Sequence, residues 1–284
     1  MTSAIICDIT DSNMKKRVQL LDISNWEYVP EAVGKYPVYQ CPDKVRYMVK
    51  PSADKFLSIK EMFVSKLCSE AQFDAVENHM SIDERKSIGK QATIISKLLD
   101  NKLMPLSETV TVGTNGGSEY LSECNIGKFF ELNSAKLDNN FKQRFIEEYL
   151  FRMIVKDTDA STRRNVSMLK NISPITLSKS YDFDRCLEGT FTADEKLTRL
   201  NLNFIKKNFP KNAEKVFSQF SFDNATIDDI FGYDENTKKW IDKWLYHYHD
   251  YEQRGLYLFE IESQDKKETF TGSLESLKNE YSRL

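Results

Sequence analysis

KDTDASTRRNVSML (residues 156–169) and SPITLSKSYDFD (residues 173–184) form the most informative stretch of this sequence. The stretch begins with a polar loop that contains Asp157, Asp159 and Asn165, and it ends on Asp182 and Asp184. The short apolar runs between them, joined by turn residues, predict a β-hairpin that brings its two ends together. Oxygen ligands gathered there would suit Mg²⁺, and a carboxylate near an attacking hydroxyl serves phosphoryl transfer. The stretch therefore predicts a site that handles ATP and magnesium.

A long helix is predicted immediately before this stretch, from residue 137 to about residue 156. Phe141, Phe145, Tyr149 and Met153 stand four residues apart, so they would line one buried stripe of the helix. Further helical patterns cover residues 126–132, residues 194–209, a segment through Val216 and Phe217, and residues 238–254. The second half of the chain is therefore predicted to be mainly helical.

The first half of the chain combines strand and helix patterns. Residues 29–40 and 43–51 are predicted to pair as a β-hairpin, and Asn115-Gly116-Gly117 predicts another hairpin. Residues 58–73 carry apolar side chains at helical spacing, whereas residues 92–100 fit either a short helix or a strand. These patterns predict a β-containing first half.

The length and composition allow one large core or two lobes that share an interface. The chain has 284 residues, of which 40% are hydrophobic and 12% aromatic, and a chain of this size can bury a substantial core. We find no internal repeat, low-complexity tract or flexible linker. We expect an α+β fold in two parts, a β-containing part of residues 1–125 and a helical part of residues 126–284.

The charge and cysteine content disfavour several functional classes. Lys and Arg number 40 against 43 Asp and Glu, a formal charge of −3, so no basic field favours nucleic acid or an anionic membrane. No apolar run approaches the roughly 18 residues of a membrane span, and the N-terminus lacks a signal pattern. The five scattered cysteines form no C-x-x-C pair, and the spacing of His247 and His249 would place them on different faces of a helix. We therefore expect reduced thiols, no zinc site and a cytoplasmic location.

The order of these parts resembles the HipA-like serine/threonine kinases. In that family a loop that reads roughly N-x-D-x-H-x-x-N precedes a metal-binding Asp in a Y-D or F-D pair; this chain has DTDASTRRN and then YDFD. The resemblance extends over residues 33 to about 190 and implies a bilobal protein-kinase-like fold that uses ATP and Mg²⁺. It also implies a protein substrate bearing Ser or Thr, an antitoxin-like or host protein partner, and the option of delivery to another cell as an effector.

The resemblance assigns roles to the acidic stretch. Asp159 would be the catalytic base or orienting carboxylate, while Asn165 and Asp182 would bind magnesium and Asp184 would assist them. The loop departs from the family pattern, because Asp159 and Asn165 are six residues apart instead of five and the loop histidine is missing. Asp157 is therefore an alternative catalytic residue.

The first half supplies the residues that would contact ATP. Lys50 ends a predicted strand, as the ATP-contacting lysine does in kinases, and Glu61 on the following helix would pair with it. Two alternatives stay open: Ser58 and Glu61 match a capping box, and Glu70 is a later carboxylate on the same helix. Only Gly34 lies between Pro30 and Lys50, so no glycine-rich phosphate loop is present.

Two other functions fit the same pattern. A pseudokinase would keep the fold and act as a binding module, which the irregular loop spacing and the glycine-poor segment favour. A phosphoinositide or small-molecule kinase would use a similar Asp-Asn-Asp arrangement, although no basic patch or amphipathic membrane helix is evident.

Overall fold

The computed structural model describes residues 20–33, 36–51, 55–83, 93–97, 103–108, 110, 120–160, 162, 166–169, 174–189, 191, 194–232, 238–239 and 255–284. The predicted hairpin at Asn115-Gly116-Gly117, the predicted magnesium ligand Asn165, and His247 and His249 lie outside these residues. In the described part of the chain, no helix is both long enough and apolar enough to cross a membrane.

The first part of the chain forms a mixed six-stranded sheet. Its strands are β1 (Leu20–Asp22), β2 (Glu27–Val33), β3 (Tyr36–Gln40), β4 (Arg46–Pro51), β5 (Asn78–Ile82) and β6 (Thr93–Lys97). Their spatial order is β1-β5-β6-β4-β3-β2. β1 runs parallel to β5, and the other neighbouring strands are antiparallel. β4 therefore lies inside the sheet, between β3 and β6.

The hairpin predicted for residues 29–40 and 43–51 is a three-stranded meander. Its first segment divides into β2 and β3, whose register shifts between Val29 and Ala32. Pro30 lies at this irregularity and cannot donate a ladder hydrogen bond. β3 and β4 pair as predicted, and residues 92–100, which fit either helix or strand, contain strand β6.

Helix α1 (Lys55–Glu70) follows β4. It begins three residues before the predicted start at Ser58. Its apolar side chains from Met62 to Cys68 enter the same buried cluster as those of the later helices, and the centroid of the Phe63 ring lies 4.8 Å from that of Phe231. α1 is therefore fixed by packing as well as by its connection to the sheet.

The hairpin predicted between the polar loop and YDFD is present. Its first strand is β8 (Ser167–Leu169), which also pairs antiparallel with β7 (Leu103–Pro105). The chain then returns along β8, where the Ser178 N–H donates to the Ser167 carbonyl at 2.9 Å. This return brings the YDFD segment back to the beginning of β8.

The second part of the chain is mainly helical, as predicted. Its helices are α2 (Ile126–Leu132), α3 (Asn139–Ile154), α4 (Glu195–Asn208), α5 (Pro210–Gln219), α6 (Asn224–Ile230) and α7 (Gly255–Arg283). Asp138, Asp194 and Asp223 cap α3, α4 and α6 by accepting hydrogen bonds from backbone N–H groups. Such caps satisfy donors that have no partner within the helix.

Helix α3 runs through the core. The predicted stripe of Phe141, Phe145, Tyr149 and Met153 is buried, and the rings of Phe129 and Phe145 stack with centroids 4.7 Å apart. Because α3 is held on its apolar face, its C-terminal end is a rigid support for the polar loop that follows.

Candidate functional site

Lys50 joins three segments that are distant in sequence. Its ammonium donates to Glu61 Oε1 at 2.9 Å and to Asp182 Oδ1 at 2.7 Å. The first contact ties β4 to α1, and the second ties β4 to the YDFD segment. The structure thus brings together three of the residues that the sequence singles out.

The sheet and α1 set the direction of these side chains. Successive residues of a strand face opposite sides; Val49 is buried in a small cluster with Ile23, so Lys50 faces the other side and meets Glu61. The alternative capping box does not form, because α1 begins at Lys55 and Ser58 is already inside the helix. Glu70, the other carboxylate considered, is the last residue of α1.

Burial and neighbouring charges shift the pKa values of Lys50 and Glu61 in opposite directions. Burial alone would lower the pKa of Lys50, but the charges of Glu61 and Asp182 outweigh it, so the pKa of Lys50 lies above its ordinary value. Burial raises the pKa of Glu61 to about 7, although Lys50 acts in the opposite direction. Lys50 is therefore held as the ammonium form.

Glu61, Asp182 and Asp184 form a carboxylate cluster whose ligand oxygens all lie within 4.8 Å of one another. Glu61 Oε2 and Asp184 Oδ1 are buried and accept no hydrogen bond from the described residues. Burial and the charge of Asp182 raise the pKa of Asp184. Buried carboxylate oxygens without donors suit a hard divalent cation, so this donor set fits Mg²⁺.

The backbone at Asp182 is left-handed, with φ of 62°. This conformation is uncommon for a residue other than glycine, and strained residues concentrate at functional sites. Neighbours on both sides hold it: the Tyr181 carbonyl accepts a hydrogen bond from Arg152 at 3.1 Å, and the fully buried Phe183 packs edge-to-face on Phe151. The aromatic residues that flank Asp182 are therefore anchored while its carboxylate reaches Lys50.

Arg152 connects α3 to both acidic segments. Its fully buried side chain donates to Glu148 Oε1 at 2.8 Å, bonds to Asp157 Oδ2 and donates to the Tyr181 carbonyl. Sequence reasoning missed this residue. A signal was available, because Glu148 and Arg152 are four residues apart on the helix with the clearest apolar stripe, just before Asp157.

The two aspartates of the polar loop have different surroundings. The Asp157 side chain is fully buried, and its Oδ1 accepts the Asp159 N–H at 2.9 Å. Burial raises the pKa of Asp157, although Arg152 lowers it. Asp159 is partly exposed, and its charge contributes to the raised pKa of Asp184. Asp157 is thus enclosed by protein, whereas Asp159 lies close enough to the carboxylate cluster for its charge to influence the pKa of Asp184.

A second arginine fixes the chain just before YDFD. Arg144 lies 3.3 Å from Glu148 Oε2 and donates to the carbonyl of Asp74, and the Ser180 hydroxyl also bonds to Glu148. Burial would raise the pKa of Glu148, but Arg152, Arg144 and the Ser180 hydroxyl bring it below its ordinary value. Glu148 is therefore an ionised anchor between α3 and the segment that leads to Asp182.

Comparisons with known proteins identify the fold. No family model matches the chain, and no curated protein matches its sequence. The Helicobacter pylori proinflammatory kinase CtkA is similar in structure, with a TM-score of 0.55 and 10% identity over 94% of this chain and 99% of that chain. Two other solved structures are HipA of Shewanella oneidensis MR-1, in a toxin–antitoxin complex with HipB and operator DNA (TM-score 0.47, 11% identity, 88% of this chain and 67% of that one), and an aminoglycoside phosphotransferase of Alicyclobacillus acidocaldarius (TM-score 0.26, 10% identity, 93% and 95%). The likeness to CtkA shows a kinase fold, as the resemblance to HipA-like kinases predicts.

Proposed function

We propose that this chain is an ATP- and Mg²⁺-dependent phosphotransferase, and specifically a HipA-like serine/threonine protein kinase. One observation carries the proposal: on a chain with a kinase fold, the Lys50 ammonium contacts both Glu61 and Asp182. These two contacts place a cation, which can bind phosphate oxygens, next to carboxylates, which can bind a metal. Phosphoryl transfer requires this combination, because its catalysis consists largely of positioning and charge neutralisation.

Phosphate binding is assigned to Lys50. The ammonium would contact the α- and β-phosphates of ATP, and Glu61 would hold it in place through the 2.9 Å hydrogen bond. Because Glu61 is 2% exposed, the pair is enclosed, and its electrostatic attraction is stronger than between exposed side chains.

Metal binding is assigned to Asp182 and Asp184, together with Asn165 from the polar loop. Asp184 Oδ1 supports this assignment, because it accepts no hydrogen bond from the part of the chain that the structure describes. When bound, Mg²⁺ neutralises charge on the transferred phosphoryl group. The anchors at Tyr181 and Phe183 would keep the Asp182 carboxylate in a fixed position.

Orientation of the acceptor hydroxyl is assigned to Asp159. Asp157, the alternative, is enclosed and already engaged by Arg152, so it would serve by fixing the loop through its hydrogen bond to the Asp159 N–H. A Ser or Thr hydroxyl beside Asp159 would then donate its proton toward that carboxylate as it attacks.

The bilobal arrangement and the biological setting belong to the same proposal. Residues 1–125 would supply Lys50 and Glu61, residues 126–284 would supply the acidic segments, and ATP would bind between the two parts. The acceptor would be a protein, and an antitoxin-like or host protein would be the partner, in the cytoplasm or after delivery to another cell. These points rest on the resemblance to the HipA-like kinases.

Nucleotide binding and turnover test the proposal. Mg·ATP should raise the thermal unfolding midpoint, with a stabilisation of about 2.7 kcal/mol when ATP is at 100 times its Kd, and ADP should accumulate. Lys50→Met should weaken both effects. Lys215→Met is the matched control, since Lys215 is a half-exposed lysine of α5 that pairs with Glu147, and it should behave as wild type.

A pseudokinase is the competing function, because the Lys50 ammonium already engages the Asp182 oxygen that a metal would use. Stabilisation by Mg·ATP without ADP formation would support this alternative. If Mg·ATP neither stabilises the protein nor is consumed, the kinase proposal fails. A phosphoinositide or small-molecule kinase would form ADP only when lipid or another small acceptor replaces protein.

A further inference from the structure

Lys60, the residue before Glu61 on α1, is buried and charged. Its side chain is 1% exposed, and its ammonium forms an ion pair with Glu188 Oε1. Glu188 is more accessible, with 40% of its side chain exposed. A lysine ammonium loses most of its hydration when it is buried, so it needs a close carboxylate.

Glu188 belongs to the segment that follows YDFD, and this segment is fixed to the end of α3 and to the polar loop. The Leu187 N–H donates to the Val155 carbonyl at 2.6 Å. The Thr158 hydroxyl and N–H both donate to the Arg185 carbonyl, at 3.3 and 3.4 Å. The partner of Lys60 is therefore anchored to the same support as Asp157 and Asp159.

The two neighbouring residues of α1 give the helix two attachments. Consecutive helical residues point about 100° apart, and here Glu61 reaches Lys50 while Lys60 reaches Glu188. Lys50 in turn contacts Asp182, six residues before Glu188. A rotation or shift of α1 would disturb both attachments, because the same short segment of chain lies at the far end of each.

Loss of Glu188 would leave the Lys60 ammonium buried without its counter-charge. The simplest relief is a movement of α1 that returns the ammonium to water, and Glu61 would move with it. We propose that the Lys60–Glu188 ion pair positions α1 so that Glu61 holds Lys50 in the phosphate-binding orientation. This inference rests on the proposed function and adds two positioning residues to it.

Glu188→Ala and Glu188→Asp separate positioning from general stability. Hydrogen exchange of the α1 amides, residues 55–70, should become roughly tenfold faster in Glu188→Ala while the α3 amides keep their protection. ADP formation should fall by about tenfold or more, because a small displacement of a positioning group has large effects on rate. Glu188→Asp, which keeps the carboxylate, should recover much of both signals.

Asp228→Ala is the matched control. Asp228 is an exposed carboxylate of α6 that pairs with Lys267 of α7, so the change removes a carboxylate–lysine ion pair without uncovering a buried ammonium. It should leave α1 exchange and ADP formation unchanged. If Glu188→Ala leaves α1 exchange at the wild-type rate, or if Glu188→Asp is as impaired as Glu188→Ala, the inference is overturned.

Hydrogen exchange of α1 and ADP formation test the two proposals separately. A wild-type protein that forms no ADP would contradict the proposed function, whereas the α1 exchange rates would still decide whether the ion pair positions the helix.

The double variant Lys60→Met with Glu188→Ala adds a second check, because it leaves no unpaired charge in the core. Its α1 exchange should return toward the wild-type rate. An exchange rate equal to that of Glu188→Ala would show that the unpaired Lys60 ammonium is not what moves the helix.

Discussion

Lys50 is one positive charge beside the three carboxylates of Glu61, Asp182 and Asp184. The carboxylates are buried or partly buried, and closely spaced carboxylates with limited access to water attract cations. Two carboxylate oxygens of the cluster, on Glu61 and Asp184, have no hydrogen-bond donor among the described residues, so a cation can bind these two without displacing a hydrogen bond. Asp182 Oδ1 is available to a cation only when Lys50 releases it. This combination is the chemical basis for the proposed metal site.

Glu148 shows how a buried carboxylate is kept ionised by its neighbours. Because Arg152, Arg144 and Ser180 hold its pKa below the ordinary value, its ionised form stabilises the folded protein at pH values above the unfolded pKa of about 4.3. This contribution should be lost as pH falls below that value and through the folded pKa.

Glu148→Gln tests this pH dependence. Near neutral pH the variant should be less stable than wild type by about 2–3 kcal/mol, since it weakens the charged hydrogen bond to Arg152 and removes the ion pair with Arg144. The difference in unfolding free energy, from urea titrations at several pH values, should shrink below about pH 4.3. A difference that stays constant down to about pH 3 would show that ionised Glu148 is not the source of this stability.

Helix α3 supports both acidic segments, the polar loop and YDFD. Its last turn carries Arg152, which reaches the polar loop through Asp157 and the YDFD segment through Tyr181. The β8 hairpin returns the chain to the same place. Two loops that would otherwise move independently are therefore fixed by one side chain on a rigid helix.

Arg152→Met should be strongly destabilising. The substitution keeps an unbranched apolar side chain but leaves Glu148 and Asp157 buried with less counter-charge, which costs about 3–5 kcal/mol when one partner of a buried pair is removed. Chemical denaturation measures this loss. Lys206→Met, which removes a lysine of α4 that bonds to carbonyls at the end of α7, is a control and should cost much less.

Local patterns predicted the elements that depend on local chemistry. The stripe of α3 and the β8 hairpin are present, because helix periodicity and turn residues act over a few positions. The Lys50 to Glu61 contact also follows from local order, a strand followed directly by a helix. The division of residues 29–40 into two strands falls between Val33 and Tyr36 and was missed, although Gly34 is a turn signal at that point of the sequence.

Other features depend on contacts between distant residues. The Lys50–Asp182 contact joins residues 132 positions apart, and the Lys60–Glu188 pair joins residues 128 positions apart. Helix α7 was also not predicted, although Phe270, Leu274 and Leu277 are buried on it. These three residues have helical spacing, but charged residues surround them and weaken the pattern.

In the whole molecule, α1 and the later helices share one buried core and, together with the sheet, form a kinase fold. Its likeness to CtkA spans 94% of this chain at only 10% identity, so very different side chains support the same fold. The buried apolar residues of α1 and of the later helices belong to one cluster. Lys50 and Asp182 therefore meet because the elements that carry them are fixed to each other.

Phosphate transfer from γ-labelled ATP to Ser or Thr, by wild type and by Asp182→Asn, tests the central claim most directly. Asn tolerates the left-handed backbone of residue 182 and lacks the charge. Wild type with Mg²⁺ should label Ser or Thr of itself or of an acceptor protein. Asp182→Asn should lower the rate by about 100-fold or more, the effect of removing one electrostatic stabiliser, while its circular dichroism spectrum and melting temperature stay close to those of wild type. Equal labelling by the folded variant, or no labelling by wild type, would contradict a phosphotransferase centred on Lys50 and Asp182.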